Sequence, residues 1–208
     1  MNKIFDSNNR FFTFMGKLAD LMILNLLFIL TSLPIITIGT SLTALYAVSL
    51  KQSSGTSTYI IKEYFNAWKI NFKQSIILWT FSLIAFSLLF MNLIVESNSS
   101  FTLLIRMIMT LSLILFIMIT LYVFPMIAKF ENTIRYTLVS AFFMSLRHFF
   151  TTCTLFGTAA FFVLITVSSP SMIEVTSMAW FLFFFATIAR IQATFLNKIF
   201  NRYITPSI

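Results

Sequence analysis

Long apolar runs alternate along this chain with short polar, mostly basic segments. The run that sets the pattern is DLMILNLLFILTSLPIITIGTSLTALYAVSLK, Asp20 to Lys51, where 30 uncharged residues, Leu21 to Leu50, lie between two charges. As one straight helix they would measure about 45 Å, against a hydrocarbon core of roughly 30 Å. Pro34 has no N–H to give a helix, and Gly39 tolerates backbone angles that other residues avoid. A break is therefore expected near Leu33–Gly39, and folding back there makes two arms of about 15 residues, each a little short of a full span.

The rest of the pattern places the other elements. A polar Gly/Ser piece after Lys51 reads as a loop. Residues 59–74 carry Ile61, Tyr64, Phe65, Trp68 and Phe72 at three- and four-residue spacing, with Lys62, Lys69 and Lys73 largely opposite, the signature of an amphipathic helix at a membrane surface. Spans are expected at 18–33, 76–95, 103–125, 149–168 and 178–196, a short return arm at 40–50, and a second interfacial helix at 132–148. Glu96–Ser100 and Ser168–Glu174 read as loops. The expected fold is an all-α, polytopic transmembrane helical bundle in a single domain, 1–208. It has five long hydrophobic helices, a short or re-entrant arm after Pro34, and cytoplasmic interfacial amphipathic helices.

Composition agrees with the pattern. Apolar residues make up 59% of the chain, charged residues 10%, and the mean hydropathy is +0.93. A soluble domain carries about a quarter charged residues, so this chain cannot wet a soluble surface and its solvent is the lipid bilayer. A transmembrane barrel is disfavoured because barrel strands alternate polar and apolar positions. The net charge of +8 does not point to nucleic acid, because the basic residues are spread between the apolar runs. The single cysteine, Cys153, excludes an internal disulfide.

Charge also orients the chain. Lys51, Lys62, Lys69, Lys73, Lys129, Arg135, Arg147, Lys198 and Arg202 fall on one side of the spans, and the opposite loops hold Glu96 and Glu174. By the positive-inside rule the basic side is cytoplasmic, the C-terminus with it. Lys3, Arg10 and Lys17 belong on that side too, so an even number of crossings or a re-entrant excursion is expected between Lys17 and Lys51, with a cytoplasmic N-terminus. The alternative is a single crossing in Leu21–Leu50, giving five spans and an external N-terminus.

Little here carries chemistry. With six acidic residues and one histidine, no metal-ligand cluster, nucleotide loop or nucleophile motif is legible, and neither cofactor nor enzymatic activity is expected. Buried charges and amides within spans are the better candidates because burying them is costly, which singles out Asp20, Asn25 and Arg190. Asp20 is placed to pair with Lys17 or Arg190, and Arg190 to snorkel to the cytoplasmic surface or face a polar interior.

One further signal lies in the break itself. Leu33-Pro34-Ile35-Ile36-Thr37-Ile38-Gly39 followed by Ala44-Leu45-Tyr46 resembles the signature of the YesL-like bacterial membrane proteins. Phe65–Trp68, Asn71-Phe72-Lys73-Gln74, Leu121-Tyr122 with Pro125, and Lys129-Phe130-Glu131 resemble further blocks of that family, although Trp68 stands where Phe is commoner. The resemblance adds Pro34, Thr37, Gly39 and Asn71 to the candidate positions and carries over no catalytic residue. It implies a bacterial plasma membrane protein, often encoded beside sugar-uptake transporters. The expected function is thus a non-enzymatic membrane component that assists or regulates carbohydrate uptake, with transporter subunits as partners. A small gradient-driven transporter or channel is the alternative, and an enzyme acting on lipid-linked substrates a weaker one.

On a Cys153→Ser background, cysteines placed at Ser7 and Ser54 are expected to stay protected from a membrane-impermeant thiol reagent added to intact cells. Labelling of Ser7→Cys from outside would overturn the even-crossing topology.

Overall fold

The computed structural model describes residues 10–56, 59–94 and 100–203. Most of the 96–100 loop and position 7 lie outside that description. The described residues form α1 (Arg10–Ser32), a 3-10 turn (Ile35–Thr37), α2 (Ile38–Ser53), α3 (Ile60–Ile70), α4 (Phe72–Ile94), α5 (Ser100–Lys129), α6 (Ile134–Arg147) and α7 (Phe149–Val167). A last long helix joins α8 (Pro170–Ala179), a π turn (Trp180–Phe184) and α9 (Phe185–Phe200). Five stretches are long and apolar enough to cross a membrane: Phe14–Ser32, Phe72–Met91, Leu103–Lys129, Phe149–Val167 and Pro170–Phe200. The all-α transmembrane fold with a short arm after Pro34 is therefore observed.

That short arm is the centre of the molecule. In α2, Gly39–Ser41 and Thr43–Leu50 are all buried, and the helix packs against α1, α3, α4, α5 and α9. Its sequence explains this: Gly39, Thr40, Ser41, Thr43, Ala44, Ala47 and Ser49 are small enough to let five neighbours approach, as small residues do where helices meet without a hydrophobic drive. The remaining core gathers at the same end of the bundle, on Tyr122–Ile127 of α5 and on Ala186, Ala189, Ala193, Leu196, Asn197, Ile199 and Phe200 of α9. Away from it the long helices splay and expose apolar side chains such as Phe81, Leu88, Leu104, Leu111, Phe161 and Val175. Such exposure suits lipid rather than water.

The contacts at the two ends of α2 define the arm. Gly39 and Thr43 lie against Ser75 and Trp79, in the first turns of α4. Leu50 and Ser54 bond to Asn197, in the last turn of α9. Both neighbours are at their basic ends there, marked by Lys73 and Lys198. Both ends of α2 thus lie against the basic ends of its neighbours.

Three expected features are corrected. The helix foreseen over 59–74 is interrupted at Asn71, whose side-chain Nδ2 shares Ala67 O, at 3.0 Å, with its own backbone N–H, at 3.1 Å. Its inward face carries Ile60 and Tyr64, with Ile61 and Phe65 exposed, so the apolar stripe is split between two surroundings. The loop foreseen over Ser168–Glu174 is mostly helix: Ser169 caps it by accepting from the Met172 N–H, and Pro170 takes the first position, where its missing N–H costs nothing. The order of one short helix and two long ones occurs twice, as α3–α4–α5 and as α6–α7 with the last helix.

Gly39 is required by space and not by its backbone angles. A Cβ there would sit 2.4 Å from Trp79 Cβ and 2.9 Å from Ser75 O, forcing α2 and α4 apart. Gly39→Ala is expected to destabilise the protein in mild detergent by about 1–3 kcal/mol, the usual cost of overpacking. Gly157→Ala, with no atom within 4 Å of the new methyl, is the matched control expected to leave thermal stability unchanged.

Candidate functional site

The break between α1 and α2 is held by side chains from three helices. Thr37 Oγ1 lies 2.7 Å from Thr31 O, a carbonyl that the end of α1 leaves open, and 2.8 Å from Pro34 O, which also accepts from the Thr37 N–H. Trp79 of α4 donates its indole N–H to Ile35 O at 2.8 Å. Tyr64 reaches in from α3, fully buried, with its hydroxyl 2.6 Å from Thr31 Oγ1. Burial pushes the Tyr64 phenol up to about 12, against smaller opposing effects of its bonds to Thr31 and Ser41, so it stays a neutral group at physiological pH.

A second constellation joins α1 to the last helix. Asn25 is completely buried; its Nδ2 donates to Trp180 O at 2.9 Å and Phe181 O at 2.7 Å, and its Oδ1 accepts from Ala186 N–H at 3.0 Å. The partners fix the amide orientation, since carbonyls demand the NH2 end and an N–H demands the oxygen. These three backbone groups flank the π turn, where widening the helix displaces the usual i to i+4 ladder. The asparagine amide is chemically a peptide group and takes up the bonds that the widened turn leaves open. Phe28 packs beside it on Phe185, ring centroids 5.0 Å apart.

The far end of α2 is held by α9. Asn197 Nδ2 donates to Leu50 O at 2.8 Å, to Ser54 Oγ at 3.2 Å and to Ser53 Oγ, while its Oδ1 accepts from Lys129 Nζ at 3.3 Å. Arg190 Nη1 donates to Gln52 Oε1 at 3.2 Å. One turn deeper, Tyr46 donates to Gln192 Oε1, and Gln192 Nε2 donates to Leu155 O at 2.9 Å and Thr158 Oγ1 at 3.2 Å on α7. Between α2, α4 and α5 lies a cavity of about 430 Å³ lined mainly by Leu42, Trp79, Leu83, Phe86 and Phe124. Its walls suit a hydrocarbon chain.

Comparison with known proteins follows from this region. Residues 21–93, which span α1 to α4 and the break, match the model of the family described as "Protein of unknown function, DUF624". The chain is 28% identical over 138 residues to the uncharacterized protein YesL of Bacillus subtilis (strain 168), a match covering 66% of each chain. Over these stretches the chain is similar to both. No solved structure matches it.

In this chain the expected positions take different places. Pro34, Thr37 and Gly39 form the break and its contact with α4; Asn25 joins the π turn; Asn71 ends α3. Asp20 does not pair with Lys17 or Arg190. It faces α3 across a cleft shared with Tyr59, Lys62, Phe65 and Lys69, while Arg190 is turned toward Gln52 on α2. Among the described residues the salt bridge is Lys51–Glu63, and no group of acidic, cysteine or histidine side chains could hold a metal. Sequence reasoning passed over Trp79, Gln192 and Asn197. The last two are amides within the final apolar run, the signal that had singled out Asn25.

Replacing Asn25 by Leu strands two carbonyls and one N–H in a buried setting and is expected to cost about 1–3 kcal/mol in thermal or denaturant unfolding. Thr40 makes the contrast: it is equally buried but its hydroxyl has no partner, so Thr40→Val is expected to be neutral or stabilising. Equal losses for the two variants would refute the role given to the amide.

Proposed function

We propose that the protein is a non-enzymatic membrane component that assists or regulates carbohydrate uptake, and that transport itself is performed by partner subunits. The observation that carries this reading is how the buried polar side chains are used. Asn25, Gln192 and Asn197 bond to backbone and to other helices, tying the bundle together. The cavity between α2, α4 and α5 is mostly apolar; of its three lining hydroxyls, those of Tyr46 and Thr120 are engaged with Gln192 and with Phe116 O, which leaves the single hydroxyl of Ser82. A sugar needs several unengaged hydrogen-bonding groups along its path, so this cavity is a poor route for one. The sugar-uptake setting comes from the family resemblance. Exposed Ile61, Phe65 and Ile70 on α3 offer a partner an apolar strip bordered by Lys62 and Lys69.

The same reading makes α1 and α2 a re-entrant hairpin with both termini of the chain in the cytoplasm. Asp20, midway along α1, shares a cleft with Lys62 and Lys69, and the end of α2 bonds to the last turn of α9, which supports placing the second end of the hairpin on the basic side. Four crossings, α4, α5, α7 and the last helix, then return the C-terminus to that side. A gradient-driven transporter is favoured by one observation only, the π turn plugged by Asn25 in a helix long enough to cross.

Gentle solubilisation at native expression should co-purify subunits of a sugar transporter with the protein, and Phe65→Asp should reduce their recovery severalfold. Recovery of the protein alone, or sugar flux into proteoliposomes containing only this chain, would overturn the proposal.

A further inference from the structure

At the basic end of the bundle, between the end of α5, helix α6 and the turn after α9, lies a separate cavity of about 340 Å³. Its polar lining comes from Asn132, Tyr136, Ser140, Arg147 and Tyr203, and Phe143 contributes an apolar wall. The Arg147 guanidinium lies 5.8 Å from the centroid of the Tyr203 ring, and the Tyr203 hydroxyl lies 3.0 Å from His148 Nε2. A cation over an aromatic face, itself hydrogen-bonded, is held in place instead of sweeping through solvent. The electrostatics of the corner are one-sided. The imidazole of His148 is held below its ordinary value, first by burial and then by the positive charges of Arg147 and Arg202. Among the described residues the salt bridge is Lys51–Glu63, so no carboxylate neutralises either arginine; Glu131, the acidic residue nearest in sequence, is exposed and pairs with neither.

Hydroxyls, an amide and an arginine converging on a cavity without a counter-charge make a receptor for an anion with several acceptor oxygens. The neighbourhood narrows the anion further. Val139, Phe143 and Leu146 on α6 and Phe149 and Phe150 at the start of α7 are exposed and apolar, at the level where the basic residues gather. An anion bound here would have hydrocarbon-compatible surface beside it. We infer that this cavity binds the phosphate-bearing headgroup of an anionic phospholipid, with Arg147 as its cation and Arg202, close enough to act on His148, adding to the positive field, the hydroxyls of Tyr136 and Ser140 as donors, and the exposed face of α6 and α7 along the acyl chains. Phosphate chemistry is shared with free inorganic phosphate; the apolar rim is what selects the lipid. The inference does not depend on any role in sugar uptake.

The test uses the whole protein in mild detergent and reads lipid retention by native mass spectrometry, with phosphatidylglycerol and phosphatidylcholine as probes. Phosphatidylglycerol is expected to be retained preferentially. Arg147→Gln and, separately, Arg202→Gln should each weaken that preference about 5-fold, the effect of one basic residue near an anionic surface. The pair Lys62→Gln and Lys69→Gln, on the distant face of α3, should leave it unchanged. Equal retention of the two lipids, an Arg147→Gln variant indistinguishable from the parent, or an equal loss in the lysine variants would overturn the site. Displacement of the lipid by inorganic phosphate at matched concentration would overturn the lipid assignment, and resistance to it supports the apolar rim.

Discussion

A helix that stops or widens inside a low-dielectric environment leaves backbone N–H and C=O groups that no water can reach, at a cost of several kcal/mol for each one left unpaired. This fold interrupts its helices at three places, the exposed turn after Pro34 among them, and at each a side chain from a distant element bonds to the backbone. Trp79 of α4 donates to Ile35 O at the turn after Pro34. Asn197 of α9 donates to Leu50 O near the end of α2. Asn25 of α1 takes up three backbone groups at the π turn.

The same contacts make α2 the piece that the other helices are built around. Its small residues allow close approach, and Gly39 allows the closest, against Trp79 and Ser75. Thr43 adds a hydroxyl bond to Ser75 at 2.8 Å, and Tyr46 reaches Gln192 on the opposite side. Hydrogen bonds between helices are of modest average strength in membrane proteins, so it is the combination with packing that holds the arm. Dense packing is confined to the basic end of the bundle, whereas the opposite halves of α4, α5, α7 and α8 turn apolar side chains outward. Rigidity is thus concentrated at the basic end of the bundle.

Much of this was legible along the chain. Runs free of charge and longer than a bilayer demands can only be spans, so the long helices followed from hydropathy, and Pro34 marked the break because it cannot donate to a helix. Asn25 and Arg190 stood out because polar groups in apolar runs are costly. The break in α3 at Asn71 was missed because the apolar spacing continues through it. The helix start at Pro170 was missed because Ser-Pro serves equally as a turn and as a helix cap.

The division has a physical origin. Hydropathy, charge bias and chain-breaking residues act locally, each residue through its own transfer energy or its own dihedral limits, so the sequence by itself determined a helical membrane protein with its spans, its basic side and one interrupted hairpin. Burial is decided by what arrives from elsewhere. That α2 is the core, that Tyr64 of α3 points inward while Phe65 points out, and that Asn25 meets carbonyls 155 and 156 residues away depend on helices whose crossing no local pattern encodes. The tertiary structure alone placed both ends of α2 against basic ends of its neighbours. It thereby turned the stretch from Asp20 to Lys51 from a run too long for one span into a helix and a short buried arm packed among five neighbours.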